Sequence, residues 1–186
     1  AIHRLIIACL FLVPFEFVSS QCSCTDCPIT TVSNGVVSSF LNISGAVNNS
    51  LGSGGQELLS IYLDYDTDAI NEVNVRLIAP NGSFVFLIQS TGINIGQQLT
   101  FNICFNYCGG DAIPDPGFSA IFDSSEDWLD FSTYSGSYFP SGSNPANGVG
   151  CFETLTGPVN GDWVLEIEDV VAQDNGVIND WFLVFA

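Results

Sequence analysis

The sequence has no lysine, two arginines (Arg4 and Arg76) and a single histidine, His3, against 20 aspartates and glutamates, so its formal net charge is −18. Each shortage excludes something. A surface this negative repels nucleic-acid phosphates and anionic lipid headgroups, so neither is an expected partner. With no histidine beyond position 3, the main part of the chain has no Ser–His–Asp or Cys–His site and no His-ligated zinc. With no lysine, no phosphate-cradling loop can be completed. Paired carboxylates can still serve glycosidase chemistry, yet no acidic pair stands in an apolar stretch that would raise one pKa. Catalysis is therefore not expected. Sustained helical periodicity is also lacking.

The apolar run from Leu5 to Val18 is interrupted by Pro14 and Glu16 and is too short for a comfortable membrane span. It follows the basic pair His3-Arg4 and ends in Val18-Ser19-Ser20, the pattern of a secretory signal. Residues 1–20 are accordingly expected to be a signal peptide or apolar N-terminal segment, and residues 21–186 one domain, secreted or held at the cell surface. Cys9 falls in a lipidation-like Ile-Ile-Ala-Cys string, but too little apolar sequence precedes it. Beyond the leader stand Cys22, Cys24, Cys27, Cys104, Cys108 and Cys151. An even set in an exported domain reads as disulfides, with the pairing left open. The rival is a zinc site on Cys24-x-x-Cys27 and Cys104-x-x-x-Cys108.

With 47% hydrophobic residues, a sizeable core is available. From Thr30 onward short apolar stretches alternate with turn signals, which predicts an all-β, antiparallel β-sandwich or jelly roll linked by disulfides. Strands are expected at 39–44, 58–63, 73–78, 83–89, 100–105, 163–167 and 181–185. Pro80-Asn81-Gly82 should turn 73–78 into 83–89 as a hairpin. The last two strands are expected to lie side by side across the acidic turn 169–180.

What remains is oxygen chemistry. Asp64, Asp66 and Asp68 alternate, so on a strand their carboxylates share a face and repel unless a cation sits among them. Calcium is the expected cofactor. This is not an EF-hand, since Ala69 stands where that loop needs glycine. Asp169, Asp174 and Asp180 form a second candidate set around the closing turn. Asp123, Glu126, Asp127 and Asp130 around Trp128 read as a solvated loop. Tyr134, Tyr138 and Phe139 are candidates for a sugar-stacking platform, with core packing as the plainer reading.

Several stretches carry a resemblance. Gly157-Pro158-Val159-Asn160-Gly161-Asp162-Trp163-Val164-Leu165-Glu166-Ile167-Glu168-Asp169, followed by Asp174-Asn175-Gly176-Val177-Ile178-Asn179-Asp180-Trp181-Phe182-Leu183, resembles the end of the P domain, or Homo B domain, of proprotein convertases and subtilisin-like proteases. Glu72-Val73-Asn74-Val75-Arg76-Leu77-Ile78-Ala79-Pro80-Asn81-Gly82 is similar to that family's Gly-Asp-Leu hairpin. Cys24-Thr25-Asp26-Cys27, Pro114 to Phe118 and Tyr134 to Pro140 resemble versions found in secreted Bacteroidetes proteins. Asn71-Glu72 stands where the family has Gly-Asp, which adds Glu72 to the candidate metal ligands. The resemblance implies a non-catalytic extracellular module with a structural or binding role. It implies a protein partner or self-association, as a cell-surface or filament subunit stabilised by calcium. The alternatives are an accessory domain of a secreted subtilisin-like protease, or a carbohydrate- or surface-binding adhesin.

Overall fold

Side-chain alternation dictates the architecture. In Leu58–Thr67, Ile61, Leu63 and Tyr65 share one face while Tyr62, Asp64 and Asp66 share the other. Val75 and Leu77 alternate with Asn74 and Arg76 in the same way, as do Trp163, Leu165 and Ile167 with Val164 and Glu166. Strands with one apolar face must bury it against a second layer. A computed structural model describes residues 22–52, 54–92, 96–106, 121–141, 152–172 and 175–186, and they do this as two packed sheets.

The strands are β1 (Cys22–Ser23), β2 (Ile29–Thr30), β3 (Val36–Ile43), β4 (Leu58–Thr67), β5 (Val73–Ile78), β6 (Phe84–Ile88), β7 (Leu99–Asn106), β8 (Ser132–Tyr138), β9 (Gly161–Asp169) and β10 (Gly176–Phe185). One sheet has six strands, in the order β1-β10-β4-β7-β8 with β2 also on β10. The other has four, in the order β3-β9-β5-β6. Helical structure among the described residues amounts to one 3₁₀ turn, Ile70–Glu72. No helix among these residues is long and apolar enough to cross a membrane.

The expected hairpin is present: β5 pairs β6 across a turn in which Gly82 has φ 86°, a conformation glycine adopts without strain. Three features differ from the sequence reading. Strand β8 is additional; its Ser/Gly-rich Ser-Thr-Tyr-Ser-Gly-Ser-Tyr carries too weak an alternation to signal a strand. It pairs with β7 in parallel, whereas the other paired strands among the described residues run antiparallel. Strands β9 and β10 are not neighbours, because β9 lies in the four-stranded sheet and β10 in the six-stranded one. Trp163 and Trp181 therefore face the core from opposite sheets, both fully buried.

A polar relay joins the layers. The Trp181 indole N–H donates to Ser39 Oγ at 2.7 Å, and Ser39 Oγ donates to Asp26 Oδ1 at 2.6 Å. The second carboxylate oxygen of Asp26 accepts the Phe40 amide at 3.1 Å. Asp26 thus occupies a main-chain donor on the open edge of β3, a common way to blunt an edge strand. The edge of β10 is likewise partly covered by β1 and β2. An aromatic cluster of Phe101, Phe122, Trp128, Tyr134 and Tyr138 fills the β7–β8 end.

Candidate functional site

Asp64 and Asp66 lie on the outer face of β4, half-buried, as their spacing requires. A register shift in β10 between Ile178 and Asp180 brings Asn179 and Asp180 to the same face. This bulge keeps both Ile178 and Trp181 pointing into the core. The Asn179 amide donates to Asp64 Oδ1 at 3.2 Å and to Asp66 Oδ2 at 2.8 Å, and Thr100 Oγ1 donates to Asp66 Oδ1 at 2.6 Å. Asp180 sits opposite Asp64, with its Oδ1 accepting the Trp181 amide at 2.9 Å. Nearby Tyr62 stacks on Phe182 at 4.5 Å. Partial burial raises its phenol pKa, and the Asp64 and Asp180 carboxylates push it further the same way.

These acids do not converge as one ligand set. Among the described residues the only group of three ligand-type side chains within 4.8 Å of one another is Cys24, Asp26 and Cys27. Asp68 lies just beyond the end of β4, past the turn of direction. Amide and hydroxyl donors hold the carboxylates of Asp64 and Asp66.

Glu72 and Asp169 are placed differently, and both are buried, at 0% and 4% exposure. Val73 pairs with Asp169, and the Val170 amide donates to the Glu72 carbonyl at 3.0 Å, so the two residues end adjacent strands. Asp169 Oδ1 accepts the Val171 amide at 2.9 Å. Burial drives the nearby Tyr65 phenol pKa far upward; the Thr67 hydroxyl opposes this and Asp169 adds to it. Arg76, the one basic side chain among the described residues, is committed to Glu166 on the outer face of the same four-stranded sheet. Of the expected ligands, none of Glu72, Asp169, Asp64, Asp66, Asp68 and Asp180 belongs to a group of three ligand-type side chains among the described residues. Asp174 lies outside the described residues.

A cleft of about 410 Å³ opens at the Asp66–Asp68 end of β4. Thr30, Asp66, Asp68, Gln98, Phe131 and Asn175 are among its walls. Phe131 is 79% exposed and has φ 59°, the left-handed region. For a bulky aromatic this is an outlier that costs about 1–3 kcal/mol. Two bonds fix its backbone: its amide donates to Gln98 O at 2.8 Å, while Asp130 Oδ1 accepts the Gln98 amide at 2.8 Å. By contrast the expected stacking platform is packing. Tyr138 and Phe139 are buried, and Tyr134 packs on Phe101 and Trp128. Nothing in the sequence marks Phe131 or Asn179, since a left-handed φ and a bulge arise from tertiary constraint rather than from residue type.

Cys24 and Cys27 form a disulfide, so they offer no thiolates to zinc. Cys104 carries a free thiol, where the sequence leads one to expect a disulfide. It lies on the outer face of β7, half-buried, and burial raises its pKa. Cys22 lies on β1, three strands away in the same sheet. That is roughly 14 Å at the usual strand spacing, against the roughly 7 Å a disulfide allows between Cα atoms. Cys108 and Cys151 lie outside the described residues, as does the Pro114–Phe118 motif.

No protein-family model matches the chain, and no curated protein matches it. Three solved structures show remote likeness. A serine protease of Aeromonas sobria aligns at 10% identity and TM-score 0.32, covering 86% of this chain and 27% of that one. The same protease in complex with its chaperone gives the same values. An agarase aligns at 14% identity and TM-score 0.30, covering 84% of this chain and 20% of its own. The chain thus spans about a quarter of the length of these proteins, and similarity this remote carries no functional argument.

Proposed function

We propose that the protein is a non-catalytic extracellular module resembling the P domain, whose work is structural and which associates with copies of itself. The observation that carries this reading is the outer face of the four-stranded sheet. There Phe40, Val164, Ile78 and Phe84 are partners in consecutive registers and make one apolar row across all four strands. Phe40 is 52% and Phe84 43% exposed. Outer faces of sandwiches are ordinarily polar, and a contiguous apolar patch marks an interaction surface. In the next row Arg76 pairs with Glu166 and lies 5.5 Å from the Phe84 ring centroid. A face holding both signs beside an apolar row is complementary to itself across a two-fold axis, which makes a second copy the natural occupant.

The guarded edge of β3 favours association by this face over strand exchange. A filament requires a further, non-closing contact beyond the two-fold one. The disulfide supports an oxidising, extracellular setting. Calcium contributes by neutralising charge across surfaces that otherwise repel at a net −18. Size-exclusion chromatography with light scattering tests the reading. Wild type in millimolar calcium should elute as a dimer or larger species and shift toward monomer in chelator. Phe40→Glu with Phe84→Glu should be monomeric in both. A monomeric wild type in calcium, with no fibres in electron micrographs, would defeat it.

A further inference from the structure

The cleft beside β4 lies on the opposite sheet from the apolar row, and it stands whether or not copies associate. Its walls combine three kinds of group. Asp68 is half-exposed, and its carboxylate makes no hydrogen bond among the described residues. Thr30, Gln98 and Asn175 add neutral side chains that donate and accept. Phe131 adds a ring that is 79% exposed and makes no aromatic contact among the described residues.

Position 131 is unfavourable to the fold twice over. The backbone takes a conformation that suits glycine or asparagine, and the ring gains little from burial. Yet its amide, donating to Gln98 O at 2.8 Å and to Asp130 Oδ1 at 3.1 Å, holds it there. An aromatic maintained against its own stability, at the mouth of a concave polar site, is a feature to be read as binding.

We propose that this cleft is a binding site for a neutral saccharide, with Phe131 stacking on the C–H face of a pyranose ring and the Asp68 carboxylate accepting from adjacent hydroxyls. The alternation of acceptor and donor groups suits hydroxyls, which both give and take hydrogen bonds. Asp66 contributes differently: Thr100 and Asn179 already donate to its two oxygens, so it is a fixed wall rather than an open acceptor. Acidic sugars are disfavoured by the carboxylates and the net charge of −18.

The test uses the full chain and fluorescently labelled hexasaccharides of β-glucan, xylan, galactan and mannan, with oligogalacturonate as the acidic counterpart. At least one neutral hexasaccharide should bind, and more tightly than oligogalacturonate. Phe131→Ala and Asp68→Asn should each weaken that binding roughly tenfold or more, the scale of one lost stacking or charge-assisted contact. Phe84→Ala, on the other sheet, should leave it unchanged. Unaltered circular dichroism of Phe131→Asn, with its melting temperature equal or higher, separates lost binding from lost fold. No binding of any neutral probe, preference for oligogalacturonate, or full affinity in Phe131→Ala would overturn the proposal.

Discussion

Replacing Ser39 by alanine should destabilise the fold by about 2 kcal/mol, and the structure shows where that comes from. Ser39 is fully buried and its Oγ does two things: it accepts the Trp181 indole N–H and donates to Asp26. Alanine leaves the indole donor, itself fully buried, with no acceptor, and an orphaned buried donor costs about 1–3 kcal/mol. Asp26 is exposed, keeps the Phe40 amide and regains water, so its loss adds little. The volume removed is one hydroxyl, and no large cavity forms. For a domain of this size about 2 kcal/mol corresponds to a melting-temperature drop of roughly 4–8 °C. Thermal and urea unfolding followed by circular dichroism will read it. The mechanism is separable from generic core damage by a double-mutant cycle. In a Trp181→Phe background, where there is no indole donor to orphan, Ser39→Ala should cost less by at least about 1 kcal/mol. Additivity of the two substitutions, or a drop of under about 1 °C for Ser39→Ala alone, would refute the relay as the bond between sheets.

Other expectations follow from single sites. Gly176→Ala sets a Cβ 2.6 Å from Tyr65 Oη and 2.7 Å from the Asp66 carbonyl, neither free to move, and should destabilise by about 1–3 kcal/mol in urea unfolding. Burial, with Tyr134 adding to it, pushes the Tyr138 phenol up to about 12. Its folded value exceeds the ordinary value of about 10, so its contribution to stability is intact below pH ~10 and is lost as pH rises toward ~12. Absorbance at 295 nm should show Tyr138 and Tyr65 ionising only with alkaline unfolding, and early, reversible titration of both would contradict their burial. Cys104, raised by burial, should react slowly with iodoacetamide in the native state, with a pH midpoint above that of a free thiol, and fast once unfolded.

The layers of this fold were legible because alternation is strong where a strand is half-buried. Val73 to Ile78 read correctly from period two, and Pro80-Asn81-Gly82 turned it into 83–89 as a hairpin. Which sheet a strand joins was not legible. The two tryptophan strands read as neighbours because they are close in sequence, whereas β9 and β10 lie in different sheets. The serine- and glycine-rich β8 was hidden, since it is held by its pairing with β7 and by Tyr134 and Tyr138 rather than by propensity. The acidic residues were visible but their grouping was not. Asp64 and Asp66 share a face as spacing demands, yet the bulge at Asn179 supplies amide donors where a cation was expected. Burial of Glu72 and Asp169 depends on where strands end, which no local pattern encodes.

The central claim is that copies meet through the outer face of the four-stranded sheet, and oxidative trapping tests it directly. Val164 and Ile78 lie at the middle of the apolar row, so a two-fold contact centred there brings position 164 of two copies together. Val164→Cys, oxidised in millimolar calcium, should give a covalent dimer on non-reducing gels. Thr133→Cys, exposed on the other sheet, should not. Equal trapping at both positions, or none at 164, would contradict the account.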